Sequence, residues 1–107
     1  MIIGIDCGYR TGGVALVGDD WAEVHDLPTY SEGGVDVLAM MDIIKSVEKV
    51  DHIDIERQQA MPRQGVVSTF KLGYGFGQIS STCALSKVPF SLVSPAKWKR
   101  DLALPKD

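Results

Sequence analysis

The chain has 107 residues, 45% of them hydrophobic and 23% charged, which fits one domain with one core and excludes intrinsic disorder. No apolar run approaches the ~20 residues that span a bilayer, and the opening Met1-Ile2-Ile3-Gly4-Ile5-Asp6 lacks the basic and apolar regions of a signal peptide, so a soluble cytoplasmic protein is expected. The net charge of −3 is an average of unlike halves: residues 1–55 carry three basic against eleven acidic side chains, a net −8, and residues 56–107 carry eight against three, a net +5.

Ile2 to Asp6 is a short apolar run and reads as a buried strand ending at a carboxylate. Gly8, Gly12 and Gly13 make the next stretch a tight turn. Val14 to Val17 reads as a second strand, Gly18-Asp19-Asp20 as a hairpin turn, and Trp21 to Val24 as a third strand. Strands so closely spaced must be antiparallel neighbours, because a parallel crossover needs a dozen or more residues. Leu27 to Gly34 is a loop. From Val35 the apolar spacing becomes helical, with Val37, Met40, Met41, Ile44 and Val47 on one side, and this helix is expected to end near Val50-Asp51. His52 to Glu56 alternates as a fourth strand, and the intervening helix allows it to lie parallel to the first.

Residues 57–67 are polar with Pro and Gly breakers and read as a surface loop. Ser68 is the expected N-cap of a second helix running to about Ser86. That helix contains Gly73, Gly75 and Gly77, each costing ~1 kcal/mol relative to Ala. Gly73 and Gly77 lie one turn apart and are expected to let the backbone press on a sheet or a partner helix. Val88 to Val93 gives a fifth strand. Ser94-Pro95 starts a short third helix over 96–102, and Pro105 stops it.

This order makes an α/β protein with a five-stranded mixed sheet, in which Asp6 and Glu56 close adjacent parallel strands at the edge where such folds place their sites. Two adjacent carboxylates repel unless one takes a proton or both bind a cation. Oxygen ligands suit Mg²⁺ or Mn²⁺, and paired metals support phosphodiester hydrolysis. The plainer alternatives are that Asp6 forms an Asx turn before Gly8, and that Glu56 pairs with Arg57 or Arg63. Cys7 and Cys83 are too few for a disulfide framework or a zinc site, and Cys7 reads as a small buried thiol rather than a redox group.

Ile3-Gly4-Ile5-Asp6-Cys7-Gly8, followed by Gly13-Val14-Ala15-Leu16, resembles the first motif of ribonuclease H-like nucleases, and in particular of RuvC-type Holliday junction resolvases. Ile55-Glu56 resembles their second acidic motif. Ala60 to Phe70 with the glycines after it, Val93 to Lys99, and Leu104 to Asp107 resemble phage and prophage RuvC-like proteins. The resemblance runs through the whole chain. It implies a single ribonuclease H-like domain over 1–107, strand order 3-2-1-4-5, and a bacterial or phage-encoded origin. It implies a homodimeric crossover junction endodeoxyribonuclease that cuts branched DNA with two Mg²⁺ or Mn²⁺ ions, Asp6 and Glu56 being catalytic residues and metal ligands. The family has two further acids on a last helix, which would begin about where this sequence stops. The domain is therefore expected to be C-terminally incomplete, and the chain by itself inactive or weakly active.

Within that resemblance Arg57, Arg63, Lys71, Lys97, Lys99 and Arg100 become the expected DNA contacts, and Met61 the nearest apolar candidate for a wedge that opens the junction. The helix 68–86 is the expected dimer element. Tyr74 and Phe76 either line that dimer contact or fill the monomer's own core. Two rival readings stand: a non-catalytic branched-DNA-binding module, and a fragment of an actin-like phosphotransferase, for which the chain offers no second phosphate loop.

Overall fold

Five strands and two helices alternate along the chain in a computed structural model that describes residues 1–47, 49–58 and 62–94. The strands are β1 (Ile2–Asp6), β2 (Gly13–Val17), β3 (Ala22–Asp26), β4 (His52–Glu56) and β5 (Phe90–Val93). The helices are α1 (Val37–Lys45), between β3 and β4, and α2 (Val66–Ser86), between β4 and β5. They form one mixed sheet in the order β3-β2-β1-β4-β5. β1–β2 and β2–β3 are antiparallel, while β1–β4 and β4–β5 are parallel. This is the expected topology. The expected third helix over 96–102 lies outside the described residues.

Strand alternation decides which face carries what. Ile3, Ile5, Val14, Leu16, Ile53 and Ile55 share one face and are buried there against Met40 and Ile44 of α1 and Ile79 and Cys83 of α2. Because side chains alternate, Gly4 and Asp6 of β1 and Asp54 and Glu56 of β4 belong to the opposite face. The helices thus bury the aliphatic half of each central strand and leave the acids off that core. β3 is exposed along its whole length. Among the described residues no helix is long and apolar enough to cross a membrane.

Element ends depart from the expected ones for local reasons. β3 begins after Trp21 and runs on to Asp26, because the Gly18 N–H donates to the Trp21 carbonyl (2.9 Å) and keeps Trp21 in the hairpin turn. α1 stops at Lys45, not near Val50. The Ser46 hydroxyl donates to the Ile43 carbonyl at 2.6 Å, so the last turn is closed by a side chain. Its start is capped by the Asp36 carboxylate, which accepts from the Ala39 N–H at 3.1 Å. The N-cap of α2 is Gly65, three residues before the expected Ser68, and it makes no side-chain cap. β5 begins at Phe90, because Lys87 turns in the left-handed region (φ 65°) to end α2 and Pro89 has no N–H to give a ladder.

The close approach in α2 belongs to Gly75, not to Gly73 and Gly77. A Cβ on Gly75 would lie 3.0 Å from the Gly8 carbonyl oxygen and 3.7 Å from Tyr9 Cα, so α2 presses directly on the turn that follows Asp6. Gly73 and Gly77 have open space beside them. Gly73→Ala and Gly77→Ala should therefore each raise stability by up to about 1 kcal/mol. Gly75→Ala should lower it by roughly 1–2 kcal/mol, because the Gly8 carbonyl must move. Thermal unfolding of the three variants checks the contrast, and the same sign at all three positions would contradict this packing.

Candidate active site

The acidic pair is a consequence of register. β1 and β4 run parallel with Ile3 opposite Ile53 and Ile5 opposite Ile55. The next residue on each strand is Asp6 and Glu56, so the two carboxylates leave neighbouring strands at one step and on one face. Neighbouring strands lie about 4.8 Å apart. Asp6 is exposed and Glu56 half-buried. Among the described residues, no hydrogen bond or ion pair holds the Asp6 carboxylate, which speaks against the Asx-turn reading.

Cys7 reports on the charge at this corner. Burial pushes its thiol up to about 12, and the carboxylates of Asp6 and Glu56 push in the same direction. One thiol thus feels both carboxylates, as expected if they share a site. Cys83 is pushed up to about 11 by burial alone. Both thiols pack into or against the aliphatic core, and both remain neutral at ordinary pH, matching the expectation of a small buried thiol at Cys7.

The turn from β1 into β2 carries the rest of the corner. A Cβ on Gly8 would fall on the Thr11 carbonyl, and one on Gly12 would fall on the Asp6 carbonyl and within 2.9 Å of Leu27 Cδ2. Glycine at both places is required by closeness of backbone to backbone. The Tyr9 ring lies against Gly33, where any side chain would overlap it, and the Tyr9 carbonyl accepts from the Gly34 N–H at 2.7 Å. Gly33 has φ 104° and Gly34 φ 95°, a left-handed pair suited to glycine. Gln78 of α2 holds the same loop by accepting from the Val35 N–H (2.7 Å) and donating to the Val35 carbonyl (3.0 Å).

Of the expected DNA contacts, Arg57 follows β4 directly, is exposed, and donates its backbone N–H to the Val93 carbonyl at 2.6 Å. Arg63 is exposed in a turn, at φ 65°. Lys71 is half-buried on α2, with Nζ 5.3 Å from the centre of the Tyr9 ring. Lys97, Lys99, Arg100 and the wedge candidate Met61 lie outside the described residues. Phe76 packs partly buried against the core, whereas Tyr74 is half exposed.

The oxygen donor set fits a hard divalent cation as far as it goes, since Asp6 is accessible and Glu56 stands beside it. No group of three His, Cys, Asp or Glu side chains gathers closely enough for a metal among the described residues. Asp54 lies on the same face two residues before Glu56, but His52 already engages it (Nε2 to Oδ1, 3.4 Å). Sequence reasoning gave no role to Tyr9 or Phe70 and read Tyr74 only as a dimer or core residue, whereas the three rings pack in a row, Tyr9 against Tyr74 and Tyr74 against Phe70. The one available signal was that Tyr9 stands three residues after Asp6.

No protein-family model matches the chain, and neither does any curated protein. Solved structures do match. Thermus thermophilus RuvC in complex with a Holliday junction substrate superposes with a TM-score of 0.70, covering 95% of this chain and 69% of that one at 19% identity. The chain has a RuvC-like fold. A second T. thermophilus RuvC structure matches with a TM-score of 0.58 at 18% identity, covering 95% of this chain and 68% of that one. YeaZ from Pseudomonas aeruginosa matches with a TM-score of 0.52 at 16% identity, covering 95% and 49%. At such identities the likeness is one of architecture, and YeaZ has it too, so the RuvC-like fold places the acids without naming the reaction.

Proposed function

We propose that this chain belongs to a structure-selective endodeoxyribonuclease of the RuvC kind, acting on four-way and other branched DNA. The observation that carries the reading is the pairing of Asp6 and Glu56 at one step of adjacent parallel strands, in a fold whose neighbour in the solved structures holds a Holliday junction. Asp6 and Glu56 would hold Mg²⁺ or Mn²⁺. Such ions, when bound, supply a nucleophile at neutral pH and neutralise charge on the scissile phosphate.

The chain's own residues do the positioning. Asp6 would hold the cation from an exposed strand end, and Glu56, half-buried at the end of β4, would hold it with less freedom to move. Arg57, Arg63 and Lys71 bring positive charge to the polypeptide immediately after Glu56, where flanking phosphates would lie. Lys97, Lys99 and Arg100 are assigned the same task, and Met61 the wedge. α2 is assigned the homodimer contact: Gly73, Gly77 and Ala84 are exposed at spacings that keep them on one side of the helix, and the two glycines leave room for a partner backbone.

The reading is tested by titrating a fixed four-way junction and a linear duplex of the same arm sequence against the chain. A preference for the junction of at least about tenfold is expected. Equal affinities would overturn it. Junction binding without cleavage in either Mg²⁺ or Mn²⁺, even in a longer native product, would instead favour the non-catalytic binding module. Salt dependence separates the basic residues. Lys71→Ala should reduce the slope of log K against log salt by about 1, and replacing Lys97 and Lys99 together by about 2. An unchanged slope removes the residue from the footprint.

A further inference from the structure

β3 forms one margin of the sheet, and among the described residues no strand lies on its outer side. It pairs with β2 without a break, from Ala22 opposite Val17 to Asp26 opposite Gly13. Its outer edge therefore offers a regular row of backbone donors and acceptors. Edges of this kind are commonly blunted by Lys, by Pro or by a bulge. Residues 22–26 contain neither Lys nor Pro, and the continuous register leaves no bulge. Val24 is 78% exposed in the middle of the strand.

A groove of about 480 Å³ runs beneath the same edge. Cross-strand partners share a face, so Glu23 and His25, opposite Leu16 and Val14, lie on the side of the sheet that carries the core. The groove separates them from α1: Trp21, Glu23 and His25 line the strand side, Asp42 and Val47 the helix side, and the buried Leu16 lies between. The Trp21 indole rests on Gly18, where a Cβ would fall on the ring, and is 45% exposed. A half-open indole and aliphatic walls beside carboxylates suit a long apolar stem that ends in a positive charge.

Charge selects the occupant. Residues 19–26 hold Asp19, Asp20, Glu23 and Asp26 and no Lys or Arg, and among the described residues no basic side chain lines the groove except His25. Asp42 makes no ion pair among the described residues, and Glu23 meets His25 at 3.0 Å (Nε2 to Oε2), with both side chains exposed. A second copy of β3 laid on this edge would double its negative charge, and nucleic acid would be repelled by it. We propose that the free edge of β3 and the groove beneath it take an extended cationic segment of a partner protein, added to the sheet as a further strand. Its Lys or Arg residues, at alternate positions, would face Glu23 and Asp42, and an aliphatic residue between them would lie beside Val24. Backbone bonds along the edge supply affinity in such strand addition, and the alternate side chains supply specificity. The proposal goes beyond the branched-DNA reading and does not rest on it, since β2 and β1 separate β3 from β4 and so set this edge apart from the Asp6–Glu56 pair.

The test titrates the isotope-labelled full chain, followed by nuclear magnetic resonance, with a short synthetic peptide in which lysine alternates with valine. Amide shifts should concentrate on residues 22–26 and on the Trp21 indole, and the β3 amides should exchange more slowly with solvent. The same peptide N-methylated at alternate residues, which keeps the charge and loses backbone donors, should bind at least about tenfold more weakly. Glu23→Gln and Asp42→Asn together should weaken binding about tenfold, each exposed ion pair being worth at most about fivefold. Glu23→Lys with Asp42→Lys should lose the lysine peptide and bind its glutamate counterpart, a gain that damage to the fold does not produce. No shift at about millimolar peptide overturns the proposal, and so does equal binding of the N-methylated form. Shifts centred on Asp6 and Glu56 overturn it in favour of plain cation attraction at the acid pair. β3 shifts that grow with protein concentration in the absence of peptide overturn it in favour of a second copy on this edge.

Discussion

Asp6→Asn should abolish Mn²⁺ binding by this chain and lower metal-dependent junction cleavage by the native polypeptide at least about a thousandfold, the scale set by several kcal/mol of lost charge stabilisation. The substitution keeps size and removes only the charge. Asp6 is exposed at the end of β1 and holds no ion pair among the described residues, so stability should hold to within about 0.5 kcal/mol. Junction affinity in chelator should stay level or rise, because one negative charge leaves a surface that faces phosphates. Glu56→Gln should act in the same direction. Electron paramagnetic resonance of Mn²⁺ follows the first effect, gel-resolved cleavage the second and chelator titrations the third. Full cleavage in Asp6→Asn would remove the residue from catalysis, and joint loss of binding and fold would show that it holds the turn instead.

The sheet was legible because its central strands carry their own punctuation. Ile2 to Asp6 and His52 to Glu56 are apolar or alternating runs that stop at an acid, and the helical spacing between β3 and β4 made a parallel return possible. Given the strand order, the pairing of Asp6 with Glu56 followed from counting. What was not legible depended on single bonds or on contacts far apart in sequence. The end of α1 is set by the Ser46 hydroxyl taking the Ile43 carbonyl, a choice that the apolar period continuing to Val47 conceals. Gly73, Gly75 and Gly77 differ only in which side of α2 faces Gly8, and a weakly amphipathic helix does not announce its inner side. Tyr9 reads as a turn residue until the fold brings it to Tyr74 across most of the chain. The basic cluster at Lys97, Lys99 and Arg100 was visible as charge alone, without a position.

Gly12→Ala should destabilise the protein by about 2–3 kcal/mol, the upper part of the range for forcing extra atoms into a packed site, and should cost metal affinity as well. Its Cβ would fall on the Asp6 carbonyl, and the alternative direction is closed by Leu27, with Cδ2 at 2.9 Å and Cβ at 3.2 Å. Leu27 cannot retreat easily, because it is buried and its N–H donates to the Gly12 carbonyl at 3.0 Å. The backbone at Asp6 must therefore move, taking the carboxylate away from its step beside Glu56. Gly8→Ala meets the Thr11 carbonyl, and Thr11 is exposed. That turn has more room to yield, so a smaller loss is expected there. Denaturant unfolding gives the stability change, and Mn²⁺ titration of the folded fraction gives the second. A Gly12→Ala protein that loses stability but binds Mn²⁺ normally would mean that the turn and the carboxylate are mechanically independent. Loss of both would show that the Gly-rich turn after β1 is what holds Asp6 at its step in the sheet.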